Sequence, residues 1–338
     1  MDPCSKLVCY EHKQQLISER MREKGDVQYL ACPSGCRFPV IRGIPRFVDS
    51  ESYTSAFGAQ WKRYRRIQLD SFTGTSISKD RLTRLLGGTL HIAGKEVLEA
   101  GCGAGRFTEI LLGAGAKVFA VDLSSAVEAN FDNCAHYHNY FVCQADIVNL
   151  PVSPEQFDIV VCIGVIQHTA DPEKTISALC SYVKPGGTVV LDHYTYGYPI
   201  TSARRLLRKL LLKMPPWVSI RFCELLVGAL WPVHSILWKR AKGQKYNKIR
   251  GWFIRLSPVV DYYGAYPELR PPMLRKWAVL DTHDTLTDAY KHLRSVEEIN
   301  NQLKLCGMVD IEVCYDGNGV EARARKAVGN DMFPAVVT

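Results

Sequence analysis

The chain lacks an apolar run long enough to cross a bilayer. Its longest one, from Leu225 to Trp238, has about 14 residues against the roughly 20 that a membrane-spanning helix needs, and Pro232 and His234 lie within it. The N-terminal segment MDPCSKLVCYEHK also lacks the basic-then-apolar order of a secretory signal. We therefore predict no transmembrane helix and a cytoplasmic protein.

Cysteines are too sparse for a disulfide scaffold. Twelve are spread over 338 residues, and Cys143 in YFVCQAD and Cys162 in DIVVCIG lie in apolar runs that predict buried strands. Such positions indicate reduced thiols. Hydrophobic residues make up 47% of the chain and charged residues 22%. This composition excludes a disordered tail, a collagen and a coiled coil, and the length favours two domains, or one with a large insertion.

Residue patterns divide the chain into five segments. In order they are a cysteine- and turn-rich module, an aromatic helical segment, an α/β core, a helical insertion and a terminal helix with two strands: 1–50, 51–93, 94–193, 194–294 and 295–338. In the core, compact apolar runs such as KVFAVD and FDIVVCIG alternate with helical stretches. This alternation predicts a parallel sheet covered on both faces.

A glycine-rich loop follows the first strand of the core and opens a helix. Its absent side chains let a ligand approach the backbone at a helix N-terminus. The dinucleotide pattern G-x-G-x-x-G would need its third glycine at Arg106, which is too bulky. The loop therefore favours a ligand with a compact amino-acid portion and a ribose. Its candidate binding residues are Glu99, Gly101, Cys102, Gly103 and Gly105.

Further candidates end the next three strands. Asp122 ends the second strand, where a carboxylate can accept hydrogen bonds from both hydroxyls of a ribose. Asp146 ends the third and could accept from an adenine amino group, while Ile147 or Leu123 packs on the ring. Gly164 follows the fourth. Because parallel strands end at one edge of a sheet, we expect these residues in one site.

Taken together, these motifs resemble those of the class I S-adenosylmethionine-dependent methyltransferases. The matching runs are VLEAGCGAGRFT, VDLS, QADI, FDIVVCIGVIQHTADP and VKPGG, and the resemblance covers about 94–193 and 295–326. It implies an α/β, Rossmann-like sheet of seven strands in the order 3-2-1-4-5-7-6. It also implies S-adenosyl-L-methionine as the cofactor.

The same resemblance assigns parts of the cofactor to residues. Glu99 and the three loop glycines would hold the methionine end, and Asp122 the ribose. Asp146 and Ile147 would hold the adenine, and Gly164 would lie beside the sulfonium.

Transfer of a methyl group to a hydroxyl requires a base. His168 is the predicted base because imidazole titrates near neutral pH; the alternative is that His168 caps the helix beginning near Asp171. Other substrate-side candidates are polar or aromatic residues near the sheet edge, in the aromatic helix and in the run LDTHD. They are Gln60, Trp61, Tyr64, Gln167, His193, Tyr194, Asp281 and His283. Plain packing and a polar turn are the alternatives for the aromatic helix and for LDTHD.

Two short-spaced pairs of potential metal ligands lie in the first segment. Cys9 and His12 precede Cys32 and Cys36 by about twenty residues, a pattern that predicts a tetrahedral zinc site. With the following FPVIRGIP, the segment resembles the zinc-ribbon modules of methyltransferases. Histidine replaces one cysteine and the second pair has an extra residue. The alternatives are one structural zinc, with Cys4 as a substitute ligand, or a module that kept its fold without metal.

The helical insertion has almost no acidic residues. Between His193 and Val260, thirteen lysines and arginines stand against Glu224 alone, a net charge of +12 in a chain of +8. Apolar positions are interleaved with the basic ones. This pattern favours a helical lid for an amphiphilic or anionic small molecule, with peripheral contact to a membrane. The alternative is a lid with a solvated basic face.

The sequence therefore predicts a methyltransferase that acts on a small amphiphilic acceptor. Candidate acceptors are an isoprenoid, a lipid-linked intermediate or a natural product, methylated on oxygen or carbon; an isoprenoid diphosphate would be methylated on carbon. One alternative is an rRNA or tRNA base methyltransferase, because a family that modifies ribosomal RNA joins a zinc module to this fold. Specific nucleic-acid binding is not expected, since the basic residues share their segment with large apolar clusters. A non-catalytic zinc-ribbon interaction module is the third hypothesis.

Overall fold

The protein is described by a computed structural model over residues 6–21, 27–48, 53–198, 201–240, 244–317 and 319–329. An N-terminal sheet comes first in the chain. Its strands are β1 (Ile17–Met21), β2 (Val27–Ala31), β3 (Arg37–Ile41) and β4 (Ile44–Pro45). They pair antiparallel in the order β1-β2-β3-β4. Cys4 and the end of the predicted 1–50 segment lie outside the described residues. The cysteines that the structure does describe are free thiols.

A larger sheet of seven strands organises the rest of the chain. Its strands are β5 (Glu96–Ala100), β6 (Lys117–Asp122), β7 (Tyr140–Gln144), β8 (Phe157–Cys162), β9 (Val183–Tyr194), β10 (Met308–Asp316) and β11 (Gly319–Lys326). The order is β10-β11-β9-β8-β5-β6-β7. The first five strands in sequence are parallel, whereas β11 runs antiparallel to β9 and β10. Counted from β5 this is 3-2-1-4-5-7-6, so the predicted Rossmann-like order is confirmed.

Alternation along the strands explains the two covered faces. Val97 and Leu98 are adjacent in β5 and fully buried, yet they belong to different apolar clusters, one on each side of the sheet. The same holds for Val160 and Val161 of β8. Both faces therefore need helices over them, which is why the strands read as continuous apolar runs.

Helices cover the sheet and form the insertion. Before and within the core they are α1 (Ser55–Arg63), α2 (Asp70–Thr73), α3 (Ile77–Leu85), α4 (Thr108–Gly113), α5 (Ala126–Cys134) and α6 (Pro172–Tyr182). After β9 they are α7 (Ser202–Leu211), α8 (Pro216–Arg240), α9 (Gln244–Leu256), α10 (Pro271–Thr287) and α11 (Val296–Leu305). The helix α10 packs on α1, α7 and α8, so it lies at the centre of the insertion.

The helix-cap alternative for His168 is wrong. Asp171 is the N-cap of α6, where its Oδ1 accepts from the backbone N–H of Lys174 at 2.9 Å, and Pro172 follows at the first helical position. His168 lies earlier, in a 3-10 turn over Ile166–His168.

The apolar run of about 14 residues from Leu225 to Trp238 is part of a longer helix in the structure. The part of α8 from Pro216 to Lys239 meets the length and mean hydropathy of a spanning helix, with 22% of its apolar window buried. In the sequence the apolar run begins only at Leu225, because Arg221 and Glu224 interrupt it. In the structure the helix continues through both residues and through Pro232. This similarity to a membrane-spanning helix rests on length and composition alone.

Candidate functional site

A cavity of about 440 Å³ lies at the carboxyl ends of the parallel strands. One wall, which we call the sheet-edge wall, consists of the loops after β5, β6, β7 and β8. The opposite wall, the helical wall, comes from α1, α3 and α10. A volume of this size is typical of a small-molecule site. The strand ends thus meet at the edge where open α/β sheets bind ligands.

Most of the residues predicted to bind the cofactor line the sheet-edge wall. They are Gly101, Cys102, Gly103, Asp122, Leu123, Asp146, Ile147 and Gly164. The backbone N–H of Gly103 donates to Oδ2 of Asp122 at 2.9 Å, while Oδ1 of Asp122 accepts from the N–H of Ser124 at 2.8 Å. The Asp122 carboxylate therefore connects the glycine loop after β5 to the end of β6.

Glycine is required at two positions of this loop. Gly101 has φ +78°, and a Cβ there would lie 2.2 Å from a methyl carbon of Val165. Gly103 has φ +49°, and a Cβ would lie 3.4 Å from Nε1 of Trp61. Both conformations disfavour other residues. The loop therefore lies between the segment that follows β8 and the aromatic helix α1.

Two of the predicted cofactor residues, Glu99 and Gly105, do not line the cavity. Glu99 is buried beneath the loop, where it accepts from the Oγ1 of Thr108 at 2.6 Å. Burial raises the pKa of Glu99 to about 8. The Cβ direction of Gly105 points toward Cys134 and Asn130 of α5 instead. Both residues therefore support the loop from below, because the chain turns into α4 at this point.

The helical wall contains three of the predicted substrate-side residues. Gln60 and Trp61 of α1 and Asp281 of α10 line the cavity, and Tyr194 lines it from the end of β9. Tyr194 stacks on Tyr198 with ring centroids 4.3 Å apart. The wall therefore combines aromatic faces with buried polar groups.

Four other predicted substrate-side residues lie away from the cavity. His193 points to the opposite face of β9 from its neighbours Asp192 and Tyr194, because side chains alternate along a strand. Gln167 is buried and turned away within the 3-10 turn. Tyr64 donates to Oε1 of Glu224 at 2.6 Å, which links α1 to α8.

The fourth is His283, which acts as a buried link between helices. Its Nε2 lies 2.9 Å from Oγ of Ser219 in α8, and its Nδ1 is hydrogen-bonded to Gln60 of α1. Burial lowers the pKa of His283 to about 4, so the ring is neutral at pH 7. The histidine positions Gln60, which itself faces the cavity.

His168 lines the cavity and is held by a carboxylate. Its Nδ1 lies 3.3 Å from Oδ2 of Asp288 and 3.2 Å from the backbone oxygen of Tyr290. The ring also packs edge-on against Tyr194, with centroids 5.4 Å apart. Burial alone would lower the pKa of His168, but the charges of Asp284 and Asp288 outweigh it and raise the pKa above its usual value.

Three carboxyl groups, two in α10 and one at its C-cap, have differently shifted pKa values. Burial and repulsion from Asp284 raise the pKa of Asp281 to about 7. Burial likewise raises the pKa of Asp284. Asp288 is buried too, but His168 and Lys291, whose Nζ lies 2.7 Å away, hold its pKa below the usual range. Of the three, Asp288 is therefore the carboxyl whose charged form is stabilised, and it faces His168.

The sequence predictions included Asp284 only as the last residue of LDTHD and missed Asp288. Their spacing from Asp281, three and seven residues, places all three on one face of a helix, and this signal was available in the sequence. It was not used because LDTHD was read as a substrate-side segment or a polar turn, rather than as the interior of a buried helix.

Two arginines of the cavity were also missed. Arg81 of α3 is paired with the buried Asp192 of β9, which also accepts from the N–H of Gly164. Arg106 donates through Nε to Oγ of Ser78 at 3.0 Å, and its Nη2 is buried with no hydrogen-bond partner among the described residues. No local motif announces Arg81, because its partner lies 111 residues away.

The four predicted metal ligands meet at the base of the N-terminal sheet. The Sγ atoms of Cys9 and Cys32 lie 3.6 Å from Nδ1 of His12, and that of Cys36 lies 3.4 Å away. All four ligand atoms lie within 4.8 Å of one another. In a tetrahedral zinc site, usual bond lengths put sulfur and nitrogen ligands about 3.5 Å apart. The residues therefore fit a zinc ion, and the substituted histidine fits as well as a cysteine.

Comparisons with known proteins point to one domain type. Residues 98–191 match the family model described as a methyltransferase domain. The ubiquinone biosynthesis O-methyltransferase of Coxiella burnetii (strain Dugway 5J108-111) is 33% identical over 122 residues, covering 34% of this chain and 52% of that protein. The protein of the same description from Methylococcus capsulatus is 27% identical over 187 residues, covering 52% and 77%. The chain spans about half the length of several of the curated relatives that it matches.

A solved structure of related type is also similar. Magnesium protoporphyrin IX methyltransferase from Synechocystis PCC 6803, with bound S-adenosylmethionine, gives a TM-score of 0.43 at 14% identity and covers 83% of this chain and 98% of its own. This TM-score is too low to carry an argument, so the fold rests on the strand order described above. The chain therefore contains a methyltransferase domain, built on a Rossmann-like sheet of seven strands.

Proposed function

We propose that this chain is an S-adenosylmethionine-dependent O-methyltransferase whose acceptor is a small, isoprenoid-like phenol. The observation that carries the proposal is one cavity that joins a glycine-loop wall to His168, which Asp288 holds. The Coxiella burnetii and Methylococcus capsulatus relatives, by their description, methylate oxygen in ubiquinone biosynthesis. The aromatic and apolar lining, with Phe57 and Tyr194, suits an amphiphilic ring.

The sheet-edge wall fits the cofactor. Asp122 would accept from the ribose, and Asp146 from the adenine amino group, with Leu123 and Ile147 on either side of the ring. The unpartnered Nη2 of Arg106 suits a carboxylate, such as that of the methionine portion. When bound, S-adenosylmethionine supplies a methyl group already activated on a sulfonium. The protein then has to orient the acceptor, exclude water and accept one proton.

His168 accepts that proton. Asp288 and the carbonyl of Tyr290 both face Nδ1, and they favour the tautomer with hydrogen on Nδ1. Nε2 is then the basic nitrogen. A phenol has a pKa near 10, so removal of its proton as the oxygen attacks lowers the barrier. The Asp288 carboxylate stabilises the imidazolium that forms.

A binding and transfer assay tests this function. Calorimetry should show micromolar-scale binding of S-adenosylmethionine and of S-adenosylhomocysteine, and no tight binding of NADH. A prenylated catechol should then gain one methyl ether, detected by mass spectrometry. Farnesyl diphosphate and transfer RNA are the comparison acceptors for carbon and RNA methylation. Methyl transfer to a base of the RNA, with none to the phenol, would overturn the proposal.

We also propose that Cys9, His12, Cys32 and Cys36 bind one structural zinc ion. The matched distances support it, as does the burial of Cys9 and Cys32. Protein purified without chelator should contain about one zinc per chain by elemental analysis, and a chelator should lower the melting temperature. Cys32→Ser should lose the metal, whereas Cys314→Ser, at an exposed position, should retain it. Metal-free wild-type protein that melts at the same temperature with and without added zinc would contradict this.

A further inference from the structure

We propose that the outer surface of α7, α8 and α9 binds anionic phospholipid membranes. This inference goes beyond the proposed methyl transfer and stands without it. It rests on three observations: an apolar stripe along α8, matching apolar side chains on α7 and α9, and the absence of exposed acidic residues among the described residues of the three helices.

The stripe on α8 recurs every three or four residues, so it lies along one face of the helix. Its exposed members are Trp217, Arg221, Leu225, Ala229, Pro232, Val233, Ile236 and Lys239. Trp217 is 74% exposed and Leu225 is 64% exposed. A helix of this length spans about 37 Å. The apolar members extend from Trp217 to Ile236 and are interrupted by Arg221. An exposed helix face that is mostly apolar over this length is unusual for a surface in contact only with water.

The neighbouring helices add to this surface. Leu206 and Leu210 of α7 and Trp252 and Leu256 of α9 are at least half exposed. Among the described residues, most of the large hydrophobic side chains that are exposed belong to α7, α8, α9 and the α7–α8 turn. They are therefore concentrated in one part of the fold and not scattered singly over the surface.

Charge on this surface has one sign. Its exposed basic residues are Arg205, Lys209, Lys213, Arg221, Lys239, Lys248 and Arg255. The sole acid from residue 201 to 260 is Glu224. Glu224 is held by Arg63, at 2.7 Å, and by Tyr64 and Arg221. The surface thus combines apolar side chains with positive charge, the combination that holds a helix in the interface of an anionic bilayer.

The inner faces of these helices are fixed to the body of the protein. Leu211 of α7 and Cys223 of α8 are buried together against Leu286 of α10. Near its other end, α8 is held through Nδ1 of His234, which lies 2.9 Å from Asp261. Moving α8 into a bilayer would break these buried contacts. The helix therefore lies on the membrane, although its length and hydropathy resemble those of a spanning helix.

An anionic lipid surface fits better than a second copy of the chain or an RNA. A symmetric dimer through this face would bring like charges together. An RNA-binding surface would have its basic residues along a polar groove, whereas here leucines and tryptophans separate them. Because α10 contacts α7 and α8 and also lines the cavity, attachment would bring the cavity close to a bilayer.

Vesicle co-sedimentation of the full chain tests the proposal. The wild type should bind vesicles of phosphatidylcholine with phosphatidylglycerol at least about tenfold better than phosphatidylcholine alone, and high salt should weaken the binding. The double variant Trp217→Ser, Leu225→Ser should lose at least about tenfold in affinity for the anionic vesicles. The double variant Lys209→Gln, Lys213→Gln should lose about tenfold of the preference for anionic lipid.

Matched controls come from α11, on another side of the molecule. Leu305 is 82% exposed and Lys304 is also exposed, so Leu305→Ser and Lys304→Gln should bind vesicles like the wild type. Melting temperatures and S-adenosylmethionine affinity of all variants show that the fold is retained. Equal binding to both vesicle types would overturn the proposal. So would a dimer lost in Trp217→Ser, or tighter binding to an RNA oligonucleotide than to anionic vesicles. None of these results depends on methyl transfer.

Discussion

The two walls of the central cavity are built in different ways. The sheet-edge wall consists of loops that each follow a strand within a few residues, and its contacts are hydrogen bonds to nearby backbone, such as Gly103 N–H to Asp122. The helical wall brings together segments more than two hundred residues apart, as in the contact between Gln60 and His283. The cofactor half of the cavity is therefore determined by local sequence, whereas the acceptor half depends on tertiary packing.

The walls also differ in their electrostatics. The sheet-edge wall contains carboxylates at strand ends, and backbone N–H groups donate hydrogen bonds to them. The helical wall contains Asp281 and Asp284 of α10. Asp288, at the C-cap of that helix, is paired with Arg208 and Lys291, at 2.9 and 2.7 Å. We therefore expect changes in the first wall to alter cofactor affinity, and changes in the second to alter rate and pH dependence.

The largest expected effect is on the sheet-edge wall. Gly103→Arg should abolish detectable S-adenosylmethionine binding, because φ +49° disfavours a side chain and an arginine side chain would enter the cavity that Gly103 lines beside Trp61. Calorimetry measures the dissociation constant for S-adenosylmethionine. Gly113→Arg is the control, since a Cβ at Gly113 meets no atom within 4 Å. Normal binding by Gly103→Arg would show that the cofactor lies elsewhere.

The next largest effect concerns the base on the other side of the cavity. His168→Ala should reduce the methyl-transfer rate by about 10²–10⁴-fold, while the dissociation constant for S-adenosylmethionine stays near the wild-type value. Single-turnover kinetics with calorimetry separates the two quantities. His193→Gln, at a buried histidine that the cavity does not include, should retain the rate. A His168→Ala enzyme at full speed would leave orientation as the sole source of catalysis.

A smaller change is expected when the ribose carboxylate is removed. Asp122→Ala should weaken S-adenosylmethionine binding by about 1–3 kcal/mol, the usual loss for charge-assisted hydrogen bonds, with the rate at saturation less affected. Asp132→Ala is the control, because Asp132 pairs with Arg42 and Arg65 outside the cavity. Loss of rate without loss of affinity would break the proposed division between the walls.

The smallest effect is a shift in pH dependence. The active form of His168 is neutral, so the rate should rise with pH through its raised pKa, at a midpoint above the ordinary 6.5 or so. Asp288→Asn removes a charge that raises this pKa, so the rising limb should move to lower pH and the maximal rate should fall by about tenfold. Asp310→Asn, at an exposed position of β10, should leave the profile unchanged. A profile that stays in place in Asp288→Asn would contradict the pairing.

The same difference between the two walls decides how much of the site could be predicted from the sequence. The strand order was implied by the resemblance of the motifs to those of the class I methyltransferases. The strand positions, the glycine loop and Asp122 were predictable because apolar runs and short motifs specify them within a few residues. The metal-ligand cluster was predictable for the same reason. His193 was placed in the site because it follows a strand, but the alternation of β9 turns it away. The spacing of Asp284 and Asp288 from Asp281 indicates one helix face, but no local pattern shows how α3, which carries Arg81, and α10 pack against the sheet.

The surface of the helical insertion, too, could be predicted only in part from the sequence. The sequence shows that basic and apolar residues alternate there, and this led to the expectation of a helical lid with membrane contact. It does not show which side of each helix is buried. The length of α8 was misjudged because Arg221 and Glu224 broke the apolar run, although in the structure Arg221 lies on the exposed stripe and Glu224 is bound by Arg63.

The most direct test of the account is a single turnover with S-adenosylmethionine labelled at the methyl carbon and a prenylated catechol, followed by carbon NMR of the product. The account predicts label on one phenolic oxygen in the wild type, and at least a hundredfold slower transfer in His168→Ala, although both proteins bind the cofactor equally. Bound cofactor with no transfer to the phenol, or label on a ring carbon, would contradict it.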